Sequence, residues 1–279
     1  MAGLDVSADR PAALSLADEI RAFVEALVAG AQTRTRYRPP LVGFATANDP
    51  AWRVIRERVN PDHLLPMDIL PGAQTVAAFF VPFSYRVVTE NWRHFYVSPE
   101  WVQAYVETNA LLEDICRGLE RLLADKGIWA AHQAPTHNFD PETLRAPWSH
   151  KSAAYVAGLG EWGLHHMLIT QRGCAGRFGS LVLDAVIPPT PRPNALYCGF
   201  YRDGSCTQCV KRCPVGALTV NGLDKERCYR VCLETDMVYR NQFGTSDVCG
   251  KCATGPCAFR PNTDDRRPTT DDQRLPTDD

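Results

Sequence analysis

The chain has 279 residues, 45% of them hydrophobic and 22% charged, with a net charge of −2 and a pI near 6.4. That apolar share can build a sizeable core, and the length allows one large domain or two ordinary ones. The charge balance demands neither a nucleic-acid nor a membrane partner, and no apolar run approaches the roughly 18 residues of a spanning helix.

The N-terminus lacks a basic region followed by an apolar stretch and carries no twin-arginine pair, so a cytoplasmic location is expected. Residues 1–14 read as a flexible arm. Ser15 opens a helix with Asp18 three residues on, and Leu16, Ile20, Phe23, Val24, Leu27 and Val28 share one face. Gly30 ends it, and Arg34, Arg36 and Arg38 follow as a solvated loop. The run LVGFAT (41–46) predicts a first strand, and a short helix is expected from about Pro50 to Val59. After a turn at Pro71-Gly72, residues 75–81 predict a buried strand. Ser98-Pro99-Glu100 supplies a cap and a first-turn proline for the longest helix, which Gly127 closes. Its apolar face carries Trp101, Tyr105, Leu112, Ile115, Leu119 and Leu122.

A strand is expected around 128–132, and then 134–151 reads as a functional loop, long, polar and aromatic. A short helix carries His150 and Lys151 toward Gly158, Gly160 and Gly163, which crowd a turn where backbone comes close to something. Strands are expected at 167–170 and 181–187, with GCAGRFGS between them as a glycine-rich loop. Pro188, Pro189, Pro191 and Pro193 form a stiff linker. The expected architecture is α+β: a sheet domain over 15–190, a cysteine-rich domain over 191–260, and a disordered tail over 261–279.

Nine of the eleven cysteines fall between Cys198 and Cys257. The segment reads Cys206-x2-Cys209-x3-Cys213-Pro214, then Cys228, Cys232 and Cys249-x2-Cys252-x4-Cys257. Two-cluster ferredoxins use C-x2-C-x2-C-x3-C-P, with four thiolates per cluster and the last cysteine crossing to the other cluster. Here the first position of that run is Asp203, and Cys198 upstream can supply the missing thiolate. Cluster one is therefore assigned Cys198, Cys206, Cys209 and Cys257, and cluster two Cys213, Cys228, Cys249 and Cys252. Cys232, one helical turn from Cys228, is an alternative ligand, as Asp203 is to Cys198. Structural zinc is the competing reading, but zinc ribbons pair C-x2-C units roughly 15–20 residues apart, and these two units are much further apart.

The glycine turn carries a resemblance. AGLGEWGLHHMLI (157–169) is similar to the AGLGWIGKN-x-LLI signature of epoxyqueuosine reductases, which are relatives of reductive dehalogenases. LPGAQTVAAFFVPF, CTQCVKRCP and Arg227-Cys228-Tyr229 resemble that family's strand and cluster region in order and spacing. The resemblance implies a nitroreductase-related, cobalamin-binding-type domain followed by a ferredoxin-like domain with two [4Fe-4S] clusters. It also implies single electrons, drawn from reduced ferredoxin or flavodoxin, passing from the clusters to bound cobalamin.

The departures are His165 in place of the motif's asparagine, the displaced first cysteine, and a chain ending soon after the cysteines, without helical repeats. With the acidic balance, they favour a corrinoid-dependent reductase of a small molecule, and no nucleic-acid partner is expected. An iron–sulfur electron carrier without corrinoid and an epoxyqueuosine (tRNA) reductase are the alternatives. Asp140, roughly where the family places its acid, is the candidate proton donor, or else the start of an Asx-type turn with Pro141. The candidate cofactor-binding residues are Gly158, Gly160, Gly163, His137, His150, His165 and His166, each histidine also a candidate for a purely structural hydrogen bond. Arg177 and Lys151 can hold carboxylate or phosphate groups, and Cys174 has no evident partner.

Overall fold

The computed structural model describes residues 14–259, so the expected tail and all but the last residue of the arm lie outside the described residues. The chain begins with α1 (Leu16–Ala29), β1 (Leu41–Thr46), α2 (Ala51–Arg58), α3 (Pro66–Ile69) and β2 (Thr75–Pro82). Next come α4 (Tyr85–Arg93), α5 (Pro99–Ala124), β3 (Ala130–His132), α6 (His150–Val156), β4 (Gly160–Trp162), β5 (Leu168–Thr170) and β6 (Gly176–Leu183). The cysteine-rich part holds α7 (Gly199–Asp203), α8 (Gln208–Lys211), β7 (Leu218–Thr219), β8 (Gly222–Leu223), α9 (Lys225–Phe243) and two 3-10 turns, Lys251–Thr254 and Pro256–Ala258.

The main sheet has the order β1-β2-β6-β3, with every neighbouring pair antiparallel. β2 is buried along its whole length because both faces are covered. Side chains alternate along a strand, so Val76, Ala78 and Phe80 face α2, α6 and Trp148, while Ala77, Phe79 and Val81 face α1 and α5. Truncating a phenylalanine so fully enclosed typically costs about 3–5 kcal/mol.

The expected glycine-rich loop over 173–180 is strand from Gly176 onward. A side chain at Gly179 would meet the Phe79 ring at 2.3 Å, and one at Gly176 would meet the Phe80 ring at 2.6 Å. These glycines make room for two neighbouring-strand phenylalanines, which looks like a loop in sequence.

A third core lies at the end of the sheet. Phe83, Trp101, Leu164 and Ile169 pack there with Cys198, Cys209, Leu218 and Ala253 of the cysteine-rich segment. Polar straps reinforce the contact. Asn91 donates to the Cys249 carbonyl at 3.1 Å and accepts from Ser98 N–H at 3.1 Å. Lys251 Nζ donates to the Asn91 carbonyl at 2.6 Å, and Arg38 reaches the Phe259 carbonyl at 3.1 Å. Among the described residues, no helix is long and apolar enough to cross a membrane.

Candidate functional site

All eleven cysteines are free thiols, and those of the cysteine-rich segment gather in two places. Cys198, Cys206, Cys209 and Cys257 line one small pocket together with Leu164 and His165. Leu164 N–H points at Cys198 Sγ at 3.5 Å. Cys213, Cys228, Cys232, Cys249 and Cys252 line one end of a larger cavity. Leu218 N–H points at Cys213 Sγ at 3.5 Å, and α9 offers Cys228 and Cys232 one turn apart on one face.

Burial pushes the Cys209 thiol up to about 12 and the Cys249 thiol up to about 11, and raises Cys252 as well. Bare thiols in such surroundings stay protonated, whereas a coordinated metal deprotonates them outright. Free of disulfides and gathered in two groups, these thiols are of the chemistry that holds iron–sulfur clusters. Asp203 stands apart: it is exposed, and its carboxylate accepts from Ser205 N–H at 2.8 Å and from Arg202 at 3.0 Å. Cys232 and Cys228 face each other. A hydrogen bond from Cys232, and then the Lys151 ammonium, draw Cys228 down to about 7, while that same bond and burial push Cys232 up.

The larger cavity is a cleft of about 430 Å³. Beyond the thiols its walls carry Phe83, Trp101 and Tyr105, the loop residues Thr136 and Phe139, Lys151 of α6, and Arg177, Tyr229 and Asp247. Tyr105 donates its O–H to Asp247 Oδ1 at 2.7 Å, and His137 Nε2 lies 2.9 Å from the same oxygen. The Arg177 guanidinium stacks over the Tyr105 ring, 4.5 Å from its centroid. Burial pushes the Tyr105 phenol up to about 12, so it is held protonated. Arg177 Nε is buried without a hydrogen-bond partner among the described residues, an orphan donor facing a cleft that a bound group can satisfy.

The residues singled out from sequence scatter around this cleft. His165 and His166 line it, and His165 also lines the small thiol pocket. His165 and Cys174 flank Cys257, with Sγ distances of 3.3 and 3.8 Å, and their hydrogen bonds, Cys174 first, hold the Cys257 thiol well below its ordinary range. His137 touches the cleft through Asp247. His150 is buried beneath the sheet instead: Nδ1 meets Ser180 Oγ at 2.8 Å, Nε2 meets the Ala134 carbonyl at 3.2 Å, and burial pushes it down to about 4.

Asp140 is exposed and does not line the cleft; its carboxylate accepts from Glu142 N–H at 2.7 Å and Thr143 N–H at 3.0 Å, and those bonds hold it below the usual range. Gly158 packs under the Thr190 and Pro191 carbonyls, and Gly160 pairs with Thr170 across a two-stranded ribbon. At Gly158 and Gly160 the close approach is therefore to backbone of this chain, and at Gly163 it is to the His165 ring. Asp247 was not singled out from sequence, whereas Thr136 and Phe139 fall in the loop expected to be functional and Tyr229 in the segment Arg227-Cys228-Tyr229. The only local signal for Asp247 is its place two residues before Cys249, and Tyr105 reads simply as a core position of α5.

No family model matches the chain. An epoxyqueuosine reductase of Aliivibrio fischeri is 30% identical over 129 residues, covering 45% of this chain and 33% of that protein. One of Bacillus cereus is 25% identical over 213 residues, 72% of this chain and 50% of that protein. The chain thus spans between a third and a half of the length of these relatives.

Among solved structures, an epoxyqueuosine reductase bound to an epoxyqueuosine-modified tRNA stem loop superposes with a TM-score of 0.54 at 18% identity, covering 86% of this chain and 64% of that one. The Bacillus subtilis enzyme, with its catalytic aspartate loop swung out of the active site, gives 0.53 at 17% identity over 86% and 66%. A reductive dehalogenase of B12-dependent dehalogenation gives 0.50 at 16% identity over 90% and 32%. In sequence the chain resembles epoxyqueuosine reductases, and in fold it resembles these enzymes and a reductive dehalogenase.

Proposed function

We propose that this chain, similar to the epoxyqueuosine reductases in sequence and fold, is an iron–sulfur reductase that uses a bound corrinoid in the cleft beside its second cluster. The observation that carries the reading is the shared wall: Cys213, Cys228, Cys232, Cys249 and Cys252 line the same cleft as Tyr105, Arg177 and Asp247. Cys198, Cys206, Cys209 and Cys257 would hold one [4Fe-4S] cluster, and Cys213, Cys228, Cys249 and Cys252 the other. When bound, the clusters supply single electrons and the corrinoid a cobalt centre that accepts them.

The chain's own residues do the rest. Phe83 and Trp101 keep the cleft apolar near the sulfurs, which excludes water and strengthens every charge interaction inside. Arg177 stands ready to donate Nε–H to the bound group. Tyr105 holds a proton at its phenolic oxygen, within the cleft, and Asp247 with His137 fixes that O–H in direction. Tyr105 is the acid the present geometry offers to the reacting centre. Asp140 would join it only by movement of its loop, and in the Bacillus subtilis relative the catalytic loop is seen swung out.

For substrate, the relatives favour an epoxyqueuosine-modified tRNA over the free small molecule expected from the motif departures and the acidic balance. Phe139 and Tyr229 meet edge to face at 5.7 Å on the cleft wall, and Lys225, Arg227 and Arg230 are exposed on the adjoining turns of α9. An aromatic pair beside exposed cations suits an unstacked base and its phosphates. The small-molecule reading rests on the acidic balance and on the departures from the family signature at His165 and Asp203. The test is single-turnover reduction of an epoxyqueuosine-bearing stem loop by the reconstituted chain, followed by nucleoside mass spectrometry. Formation of queuosine supports the tRNA reading; none from fully loaded protein, with no retention of the stem loop, removes it in favour of a small molecule.

A further inference from the structure

His165 occupies the position where the glycine signature of the related reductases carries asparagine, and it is buried. Its two ring nitrogens have different neighbours. Nδ1 lies 3.1 Å from the backbone N–H of Met167, which can only donate, so Nδ1 presents its lone pair. The ring proton is therefore on Nε2, and Nε2 lies 3.3 Å from Cys257 Sγ. A main-chain group thus sets the tautomer, and the tautomer aims a donor at one sulfur.

Both partners are held in place. A side chain at position 163 would lie 2.6 Å from the imidazole Cε1, so Gly163 is the residue that gives the ring its seat. Cys257 is fixed by its carbonyl, which accepts from Cys174 N–H at 3.0 Å.

We propose that His165, through Nε2–H, is a hydrogen-bond donor to the Cys257 thiolate of the first cluster and raises that cluster's reduction potential. Adding an electron to a cluster makes its sulfurs more negative, so a donor at sulfur stabilises the reduced form more than the oxidised one. The first cluster's other cysteines, Cys198, Cys206 and Cys209, do not line the cleft, so this cluster is the one farther from it. A raised potential there makes it easier to fill from an external one-electron donor. The inference rests on the iron–sulfur reading above.

The test is an EPR-monitored redox titration of the anaerobically purified holoprotein, with iron and sulfide counted in each sample. His165→Phe removes the donor while keeping a ring in the space, and His165→Gln restores an N–H. At the potential where the first cluster of the wild type is half reduced, His165→Phe should leave it about tenfold in favour of the oxidised form, which is about 59 mV for one electron. His165→Gln should recover part of the shift, and the second cluster should not move. A full iron complement with an unchanged midpoint overturns the proposal. So does an upward shift, the sign expected from water entering the site. If both variants lose the first cluster, resonance Raman of the wild type in D2O decides: an iron–thiolate band that shifts on deuteration supports the bond, and an unshifted set overturns it. Wild-type protein without iron would instead sink the iron–sulfur reading itself.

Discussion

Tyr105 and Asp247 are 142 residues apart in the chain and share a 2.7 Å hydrogen bond. The tyrosine comes from α5 under the main sheet, and the aspartate from the loop that leads into Cys249. That bond joins the sheet layer to the cysteine-rich layer at the cleft wall. It places the one phenol of the cleft that is held by a carboxylate next to the thiols of the second group.

Replacing Tyr105 with Phe keeps the ring beneath Arg177 and removes the proton. Loss of a positioned acid typically costs 10²–10⁴-fold in rate, so Tyr105→Phe should reduce turnover by about that range. Asp247 keeps its His137 partner, so the stability change should stay near the roughly 1 kcal/mol of a single hydrogen bond. Steady-state kinetics beside a urea titration checks both. Unchanged turnover would remove Tyr105 from the chemistry.

Part of this arrangement was legible in the sequence. Ser15 caps α1 and Ser98 caps α5, as their positions before apolar runs predict, and β1 covers 41–46 as expected. The grouping of Cys198, Cys206, Cys209 and Cys257 about one pocket follows the spacing expectation. Less legible were α4 and α9, which expose Trp92, Met237 and Val238 among their charges and bury few residues, among them Val87, Val88 and Asn91, and Val231, Thr235 and Asp236. The cleft's polar wall was not legible, because Tyr105, Arg177 and Asp247 come from three distant segments with no shared local pattern. Asp140 illustrates the reverse: its sequence position suggests chemistry, while its contacts are those of a turn with Pro141.

His150 yields a pH prediction. Its folded value is depressed to about 4 while an unfolded histidine sits near 6.5, so the unfolded chain binds more protons between those values. Stability should therefore be full above pH 6.5 and fall as pH drops toward 4, by about 3 kcal/mol at most from this residue. Denaturant midpoints of wild type and His150→Gln across that window isolate the term: the variant should lose less on acidification. Equal slopes would contradict the assignment of a neutral, buried His150.

Cys228 and Cys232 make opposite predictions. With Cys228 taken as the second cluster's ligand, Cys232 is the spare thiol one turn along α9. Cys232→Ser should keep the full iron content, and Cys228→Ser should lose about half of it. The reverse pattern, read by iron and sulfide analysis, would exchange their roles.

The most direct test of the central claim is the metal and cofactor content of protein purified without oxygen and offered cobalamin. Two [4Fe-4S] clusters and one corrinoid predict about eight irons, about eight sulfides and one cobalt per chain. Zinc in place of iron, or a full iron complement with no retained cobalt, would contradict the account, the first at the thiol groups and the second at the cleft.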